Sequence, residues 1–333
     1  MIFVFDLEGP LSPMDHAAEA MRFIGSKLGR PDFFDLFAML SEYDDILTLE
    51  EKPGYNPGDT LRLIAPIIST RATDEELISI SKTATLTPGA KDLIASLPKD
   101  DVYVASTSYQ QHALTIARQL GIRDDHVNCT RLQNFENFPK FENLQEIFED
   151  FKNSGKDIKA VRGELDSLFW EEMDGKYLST VVCGGRRKEE VLENISKERA
   201  VPLSEFIAVG DSITDIHMLA RAAKEHGLGV SFNGNEFSVP KANLAVSAMN
   251  IMALKPLVEA EDPWEFVSGW NTIQQDRLDL LKPETRDYFI QHKLEPYYDD
   301  LRAEKRSDTE LDGIIKRQKE MRKEIRKEYA QLG

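Results

Sequence analysis

The sequence has 333 residues, of which 41% are hydrophobic, and a formal net charge of −17 from 41 basic and 58 acidic residues. A chain of this length is expected to fold as one large domain with insertions or as two domains. The acidic balance argues against a nucleic-acid-binding surface and against a polybasic membrane anchor. No apolar run approaches the roughly 18 residues of a membrane span, and the N-terminus lacks a basic signal-peptide region. We therefore expect a cytoplasmic protein that does not insert into membranes.

The first twelve residues combine a buried strand with two carboxylates. Residues 2–5 form an apolar run without alternation, which predicts a strand buried on both faces of a parallel sheet. Asp6 and Glu8 follow at once, where the ligands of open α/β sheets bind. Because residues two apart in an extended segment point the same way, both carboxylates could face one reacting group. A solvated acidic turn is the alternative for this stretch taken alone.

Residues 13–86, which we call the helical block, predict helices with no strand between them. Ser12 as N-cap and Pro13 at the first helical position predict the start of the first helix. Thr73 and Glu76 match a capping box at the start of the last. Hydrophobic spacing predicts two more helices between them, over 32–46 and over 59–68, the latter kinked or broken by Pro66.

The strand pattern resumes after the helical block and alternates with helices. Buried strands are predicted over 102–105, 126–130, 206–209, 228–232 and 245–246. Strands that alternate with helices indicate a doubly wound parallel sheet, so we predict an α/β fold. Residues 134–180 carry helical patterns and are interpreted as an insertion.

Residues 251–333, which we call the C-terminal extension, are predicted to be helical, and the chain from Pro263 onward is predicted to be peripheral. Its last helix has an apolar stripe, made of Ile314, Met321, Ile325, Tyr329 and Leu332. The face between Lys316 and Lys327 is dense in Lys and Arg and is typical of a solvated helix surface. The alternative is a docking surface for a homodimer or another protein partner.

Polar groups follow three of the predicted strands, and these groups suit phosphoryl transfer. They are Asp6 and Glu8 after the first strand, Ser106 after the second, and Asp211 with Asp215 after a later one, with Lys188 at a helix N-terminus between the last two. They offer a nucleophilic carboxylate, a second carboxyl for proton transfer, a hydroxyl and a cation for phosphate oxygens, and acids for Mg²⁺. Phosphoryl transfer depends mainly on positioning and charge neutralisation.

The four segments FDLEGPL, VYVASTS, KEEVLENI and VGDSITD resemble, in this order, the four motifs of the haloacid dehalogenase superfamily of phosphotransferases. The pattern is most similar to the phosphoserine-phosphatase-like branch, which inserts a helical cap after the first strand. The resemblance implies a Rossmann-like core over residues 1–12 and 87–250, a cap over 13–86 and an added extension over 251–333.

The resemblance also implies a role for each motif residue. Asp6 would be the nucleophile that forms an aspartyl-phosphate, and Glu8 the acid/base. Lys188 would neutralise charge, and together with Ser106 and Thr107 it would bind the phosphoryl group. The cofactor would be Mg²⁺, held by Asp6, Asp211, Asp215 as ligand or support, and the backbone carbonyl of Glu8.

Three departures from the family pattern are visible. Glu8 replaces the usual Asp, and Pro10 replaces Thr or Val. Arg186 and Arg187 compete with Lys188 for the cationic role. The FDLEGPLSP opening and the chain length also resemble archaeal proteins classed as subunit R of an energy-converting hydrogenase.

Two functions therefore stay open. The first is a cytoplasmic, Mg²⁺-dependent phosphatase that acts on a small phosphate ester, with no nucleic-acid partner. The second is a regulatory or accessory subunit that keeps the fold with little turnover, and the changes at Glu8 and Pro10 motivate it.

Overall fold

One mixed sheet of seven strands forms the centre of the molecule in the computed structural model, which describes residues 1–173, 175, 179–273, 276–302 and 307–332. The strands are β1 (Ile2–Phe5), β2 (Val102–Tyr109), β3 (Val127–Thr130), β4 (Phe206–Gly210), β5 (Leu228–Phe232), β6 (Leu244–Ser247) and β7 (Tyr297–Asp300). Their order is β3-β2-β1-β4-β5-β6-β7. The first six are parallel and β7 runs antiparallel to β6.

Helices surround this sheet and form the block after β1. They are α1 (His16–Lys27), α2 (Phe33–Leu49), α3 (Leu61–Arg71), α4 (Asp74–Lys82), α5 (Ala90–Ala95), α6 (Gln110–Leu120), α7 (Phe141–Asn153), α8 (Ile158–Ser167), α9 (Arg186–Arg199), α10 (Ile216–Lys224), α11 (Lys255–Glu259), α12 (Pro263–Thr272), α13 (Pro283–His292) and α14 (Asp308–Arg326). Within the described ranges, none of the helices is long and apolar enough to cross a membrane.

Helices cover both faces of the sheet, and β1 shows why. Phe3 and Phe5 pack in one cluster with apolar residues of α5 and α6. Ile2 and Val4 point the other way and pack with residues of α9 and α10. Since successive strand residues face opposite sides, an unbroken apolar run is what a strand covered on both faces requires. The predicted doubly wound α/β fold is confirmed.

The helical block and the predicted insertion form a second core. Phe33 and Leu40 of α2 share one buried cluster with Leu144 and Phe148 of α7. The insertion over 134–180 therefore packs on the helical block rather than on the sheet; its residues 174 and 176–178 lie outside the described ranges. The capping box at Thr73 and Glu76 is present as predicted.

The predicted start of the first helix is wrong by three residues. Asp15 is the N-cap of α1, and its Oδ1 accepts a hydrogen bond from the Ala18 amide at 2.9 Å. The Ser12 hydroxyl instead donates to the Thr85 carbonyl at 2.9 Å. Ser12 is buried in the turn after β1, so its hydroxyl satisfies a backbone group across the fold. Pro66, which is predicted to kink or break the third helix, does not break it, since α3 continues through this residue.

The C-terminal extension is mostly helical, as predicted, but it is not peripheral. The strand β7 closes the sheet by pairing with β6, from Leu244 with Asp300 to Ser247 with Tyr297. In α14, the buried face is polar, because Gln318, Arg322 and Arg326 lie inside while Met321 and Ile325 are half-buried. Of the predicted stripe, Ile314 and Leu332 are buried, so the stripe identified part of the docked surface but not its polar residues.

Candidate active site

The three strands that carry the predicted site residues are neighbours. β1 lies between β2 and β4, with Phe3 in register with Val102 on one side and Ile207 on the other. The Asp6 amide still donates to the Val209 carbonyl at 2.8 Å. The carboxyl ends of these strands therefore meet at one edge of the sheet, where Asp6 and Asp211 follow β1 and β4.

Asp6, Asp211 and Asp215 form a buried cluster of carboxylates. Each offers one oxygen, and the three oxygens lie within 4.8 Å of one another. Burial, with the repulsion of Asp215, raises the pKa of Asp6 well above its usual range against the opposing pull of Lys188. Burial also raises the pKa of Asp211, although Arg322 and Arg326 oppose the rise. Asp211 Oδ1 is buried and has no hydrogen-bond partner among the described residues.

A glycine gives Asp211 the space that it occupies. Gly9 has a φ of +106°, and a Cβ built there would lie 2.1 Å from Asp211 Oδ2. Only glycine combines this backbone conformation with such a close approach. The Glu8-Gly9 dipeptide after β1 is thus shaped around the carboxylate that follows β4.

Lys188 at the start of α9 is the cation inside the cluster. Its Nζ lies 3.0 Å from Asp6 Oδ1 and 2.7 Å from Asp215 Oδ1, and the side chain is fully buried. Burial lowers its pKa, but attraction to Asp215 and Asp6 outweighs burial and raises the pKa above its ordinary value. Arg187 Nη1 instead pairs with Asp59 Oδ1 at 3.2 Å. Among the candidates for the cationic position, Lys188 is the one that contacts Asp6.

The oxygens of Asp215 are already engaged by the protein. Oδ1 accepts from Lys188, while Oδ2 accepts from the amides of Asp211 and Ser212 at 2.9 and 3.0 Å. These bonds fix the turn after β4 and orient the lysine.

Glu8 lies beside this cluster rather than in it. Its Oε1 accepts a hydrogen bond from the His16 amide at 2.9 Å. Burial, with repulsion from Asp15, raises the pKa of Glu8 to about 8. The carboxyl group lines the same cavity as Asp6.

Ser106 and Thr107 lie within β2, which is longer than predicted. The register of β2 against β3 shifts between Ser106 and Tyr109, so the strand is irregular at this point. The buried Ser106 Oγ accepts from the Ser108 amide at 3.1 Å. Thr107 lines the cavity with Asp6, whereas Ser106 is not among its lining residues.

A cavity of about 80 Å³ opens next to Asp6. The sheet edge contributes Asp6, Glu8 and Thr107, and the helical block contributes both apolar residues and two carboxylates, Asp15 and Asp44. The wall residues from that block include Phe37, Leu40, Gly58, Thr60 and Ile64. The C-terminal end of the chain closes the cavity with Arg326 and Leu332.

Sequence reasoning missed the two arginines of α14. Arg322 Nη1 contacts Asp211 Oδ2 and donates to the Asp211 carbonyl at 3.1 Å. Arg326 Nη1 lies 3.1 Å from the same Oδ2, and both side chains are buried. The one signal in the sequence is their spacing of four, which places them with Ile314 and Gln318 on one helix face.

The chain is similar to known proteins in both sequence and structure. A family model described as haloacid dehalogenase-like hydrolase matches residues 73–243. No curated protein matches the sequence. A gene product of Archaeoglobus fulgidus has a similar structure, with a TM-score of 0.73 and 24% identity over 100% of this chain and 98% of its own.

Phosphoserine phosphatases are more distant structural neighbours. A substrate-bound phosphoserine phosphatase has a TM-score of 0.49 and 20% identity, over 78% of this chain and 96% of its own. A phospho-aspartyl intermediate analogue of phosphoserine phosphatase has a TM-score of 0.46 and 19% identity, over 73% and 91%.

The family match spans just over half of the chain, and it contains Ser106, Lys188, Asp211 and Asp215. Asp6 and Glu8 precede the matched residues, but the sheet brings Asp6 into contact with Lys188. The chain belongs to the haloacid dehalogenase-like hydrolase family.

Proposed function

We propose that the protein is a cytoplasmic, Mg²⁺-dependent phosphatase that hydrolyses a small phosphorylated metabolite through an aspartyl-phosphate on Asp6. The observation that carries the proposal is the contact of Asp6 with Lys188, at 3.0 Å, beside the carboxylates of Asp211 and Asp215. A nucleophilic carboxylate with an adjacent fixed cation suits attack on a phosphoryl group, whose charge must be neutralised in the transition state.

The carboxylate cluster fits Mg²⁺, which prefers hard oxygen ligands and uses one or two carboxylates together with substrate phosphate. Asp6 and the unpartnered Oδ1 of Asp211 are the ligands that we assign, with the Glu8 backbone carbonyl as a third. The contacts of Asp215 favour a supporting role, because Lys188 and two backbone amides use both of its oxygens. When bound, the ion would neutralise charge on the phosphoryl oxygens.

The residues of the site would act in two steps. A carboxylate oxygen of Asp6 attacks phosphorus, the ester P–O bond breaks, and the leaving oxygen takes a proton from the Glu8 carboxyl group. Glu8 then takes a proton from water, whose oxygen attacks phosphorus and releases Asp6 and phosphate. Lys188, Ser106 and Thr107 hold phosphoryl oxygens in both steps. The net reaction consumes one water and yields an alcohol and inorganic phosphate.

We also propose that the helical block over residues 13–86 is a cap that sets substrate choice. Its residues Phe37, Leu40 and Ile64 line the cavity together with the carboxylates of the sheet edge. A cap of this kind also excludes water during transfer. Because the cavity holds only about 80 Å³, the substrate would have a small leaving group.

The test is hydrolysis of a panel of small phosphate esters, including p-nitrophenyl phosphate, with Mg²⁺ and with excess chelator. We expect turnover that requires Mg²⁺ and that Asp6→Asn abolishes, with a loss of at least about 10³-fold as for other nucleophile deletions. Labelled phosphate from the substrate should be trapped on the wild-type protein and not on the variant. Asp150→Asn, at an exposed site in α7, is the matched control and should keep full activity.

A wild-type rate in Asp6→Asn would contradict the assignment of Asp6 as the nucleophile. Full hydrolysis in excess chelator would contradict the requirement for Mg²⁺. A wild-type protein that hydrolyses no ester in the panel would favour the accessory-subunit hypothesis instead.

A further inference from the structure

We propose that Arg326, on the C-terminal helix α14, is a further substrate-binding residue, whose Nη2 donates a hydrogen bond to an oxygen of the substrate's phosphoryl group. The inference rests on the proposed phosphatase function and adds a residue from outside the family-matched segment to its site. Four observations support it: the docking of α14, the hydrogen bonds of Arg326, the charges around the cavity and the contrast with Arg322.

The docking of α14 holds Arg326 in the site. Gln318, one turn before Arg322, is fully buried, and its Nε2 donates to Ser247 Oγ at 2.9 Å. Its Oε1 accepts from the Gly234 amide at 2.5 Å. A helix fixed to the sheet by such bonds places the next residues of the same face at a defined depth.

The guanidinium of Arg326 uses only part of its hydrogen-bonding capacity on the protein. Nε donates to the Pro13 carbonyl at 3.3 Å, and Nη1 lies 3.1 Å from Asp211 Oδ2. Arg326 Nη2 makes no hydrogen bond with the residues that the structure describes. Because a guanidinium carries five N–H donors and Arg326 lines the cavity, Nη2 is available to an anion there.

The charges around the cavity favour such a donor. Asp6, Glu8, Asp15 and Asp44 line it, and Arg326 is the only cation among its described lining residues. A phosphoryl dianion that enters a cavity lined by carboxylates meets repulsion that fixed positive charge must offset. Guanidinium groups suit this task because they bind phosphate with short, charge-assisted hydrogen bonds.

The neighbouring arginine has different contacts, which identify Arg326 rather than Arg322 as the anion ligand. Arg322 donates through Nε to the Ala330 carbonyl and through Nη2 to the Leu332 carbonyl, at 3.0 and 2.7 Å. Its Nη1 is committed to Asp211. Arg322 therefore binds the backbone carbonyls after α14 and the Asp211 carboxylate, whereas Arg326 lines the cavity.

The experiment is calorimetric titration of the full-length protein with inorganic phosphate in saturating Mg²⁺. Arg326→Met should weaken phosphate binding roughly 10- to 100-fold, the usual loss for a hydrogen bond to a charged group. Arg326→Lys keeps the charge but not the fork of donors, so its phosphate affinity should lie between those of wild type and Arg326→Met. Arg317→Met is the matched control on the same helix, because Arg317 pairs with Asp299 instead, and it should bind phosphate like wild type.

Circular dichroism and thermal unfolding establish that each variant is folded, and Arg326→Lys carries the test if Arg326→Met does not fold. In turnover, Arg326→Met should raise KM more than it lowers kcat. Phosphate affinity in Arg326→Met or Arg326→Lys equal to that of wild type would overturn the inference and leave the phosphatase proposal standing. A wild-type protein that neither binds phosphate nor hydrolyses esters would overturn both.

Discussion

At the scale of single residues, each of the three buried cations of the site is paired with a carboxylate. Lys188 lies between Asp6 and Asp215, and Arg322 and Arg326 both face Asp211. A charge left alone in a protein interior costs several kcal/mol. The cluster is therefore stable only as a set, which explains why cations from α9 and α14 meet carboxylates from two strand ends.

Glu8 is the residue whose replacement best separates the two steps of the proposed reaction. Glu8→Gln keeps an oxygen for the His16 amide, so the backbone contact that Glu8 Oε1 now makes can persist. Turnover of an alkyl phosphate should fall roughly 10²- to 10⁴-fold, the usual size of a general acid/base contribution. Nitrophenolate leaves without a proton, so Asp6 should still be phosphorylated by p-nitrophenyl phosphate.

Hydrolysis of the aspartyl-phosphate needs a base, and that step should stall in Glu8→Gln. Rapid-quench kinetics should therefore show a burst of nitrophenol followed by a slow steady state. Glu8→Asp is the comparison that tests whether the site is built around the longer side chain. The absence of a burst in Glu8→Gln, together with a gain of activity in Glu8→Asp, would contradict the acid/base role.

At the scale of elements, one carboxylate of α2 organises the loop that leads to α3. Asp44 is buried and accepts hydrogen bonds from the Gly58 amide at 2.9 Å and from Thr60 Oγ1 at 3.1 Å, and the Tyr55 hydroxyl also contacts it. Burial raises the pKa of Asp44 to about 6 against these stabilising bonds. The loop borders the cavity through Gly58 and Thr60, so its order matters for the substrate.

We expect Asp44→Ala to lower the free energy of unfolding by roughly 2–4 kcal/mol, because it leaves buried donors without an acceptor. The adjacent Asp45 is the control. Its Oδ1 is buried and has no partner in the described part of the chain, and burial with repulsion from Asp44 raises its pKa to about 8. Asp45→Asn should therefore leave stability at pH 7 unchanged or higher. Urea unfolding of both variants measures the difference, and equal losses would contradict the role of Asp44.

At the scale of the whole molecule, the C-terminal residues pack against the segment that follows β1. Arg326 Nε donates to the Pro13 carbonyl, and Leu332 packs in the same cluster as the helical block. The sheet, the helical block and α14 thus all border one cavity. A change in the docking of α14 should alter the position of its residues in the cavity without unfolding the sheet.

Gln318→Met tests this arrangement, because methionine has a similar volume but cannot bond to Gly234 or Ser247. Loss of these bonds should lower the hydrogen-exchange protection of α14 amides by about 1–3 kcal/mol. The protection of β1 and β4 amides should stay as in wild type. An equal loss over the sheet would show that α14 does not open separately from it.

The sequence by itself determined the sheet and most of the candidate site. The unbroken apolar runs of the strands predict burial on both faces, which is typical of a parallel, doubly wound sheet. Polar residues at the ends of such strands must then meet at one edge. Asp6 and Asp211 were predictable on these grounds, with Asp215 one helical step beyond Asp211, and the three do come together.

Only the tertiary structure decided what lies opposite that edge. Asp15 rather than Ser12 caps α1, because the turn after β1 buries the Ser12 hydroxyl against Thr85. Lys188 rather than Arg187 reaches Asp6, because Asp59 of the helical block holds Arg187. The two arginines of α14 likewise reach the site only through tertiary contacts, with Asp211. A buried arginine has the sequence pattern of a solvated one, and the carboxylate that makes its burial favourable lies more than a hundred residues away.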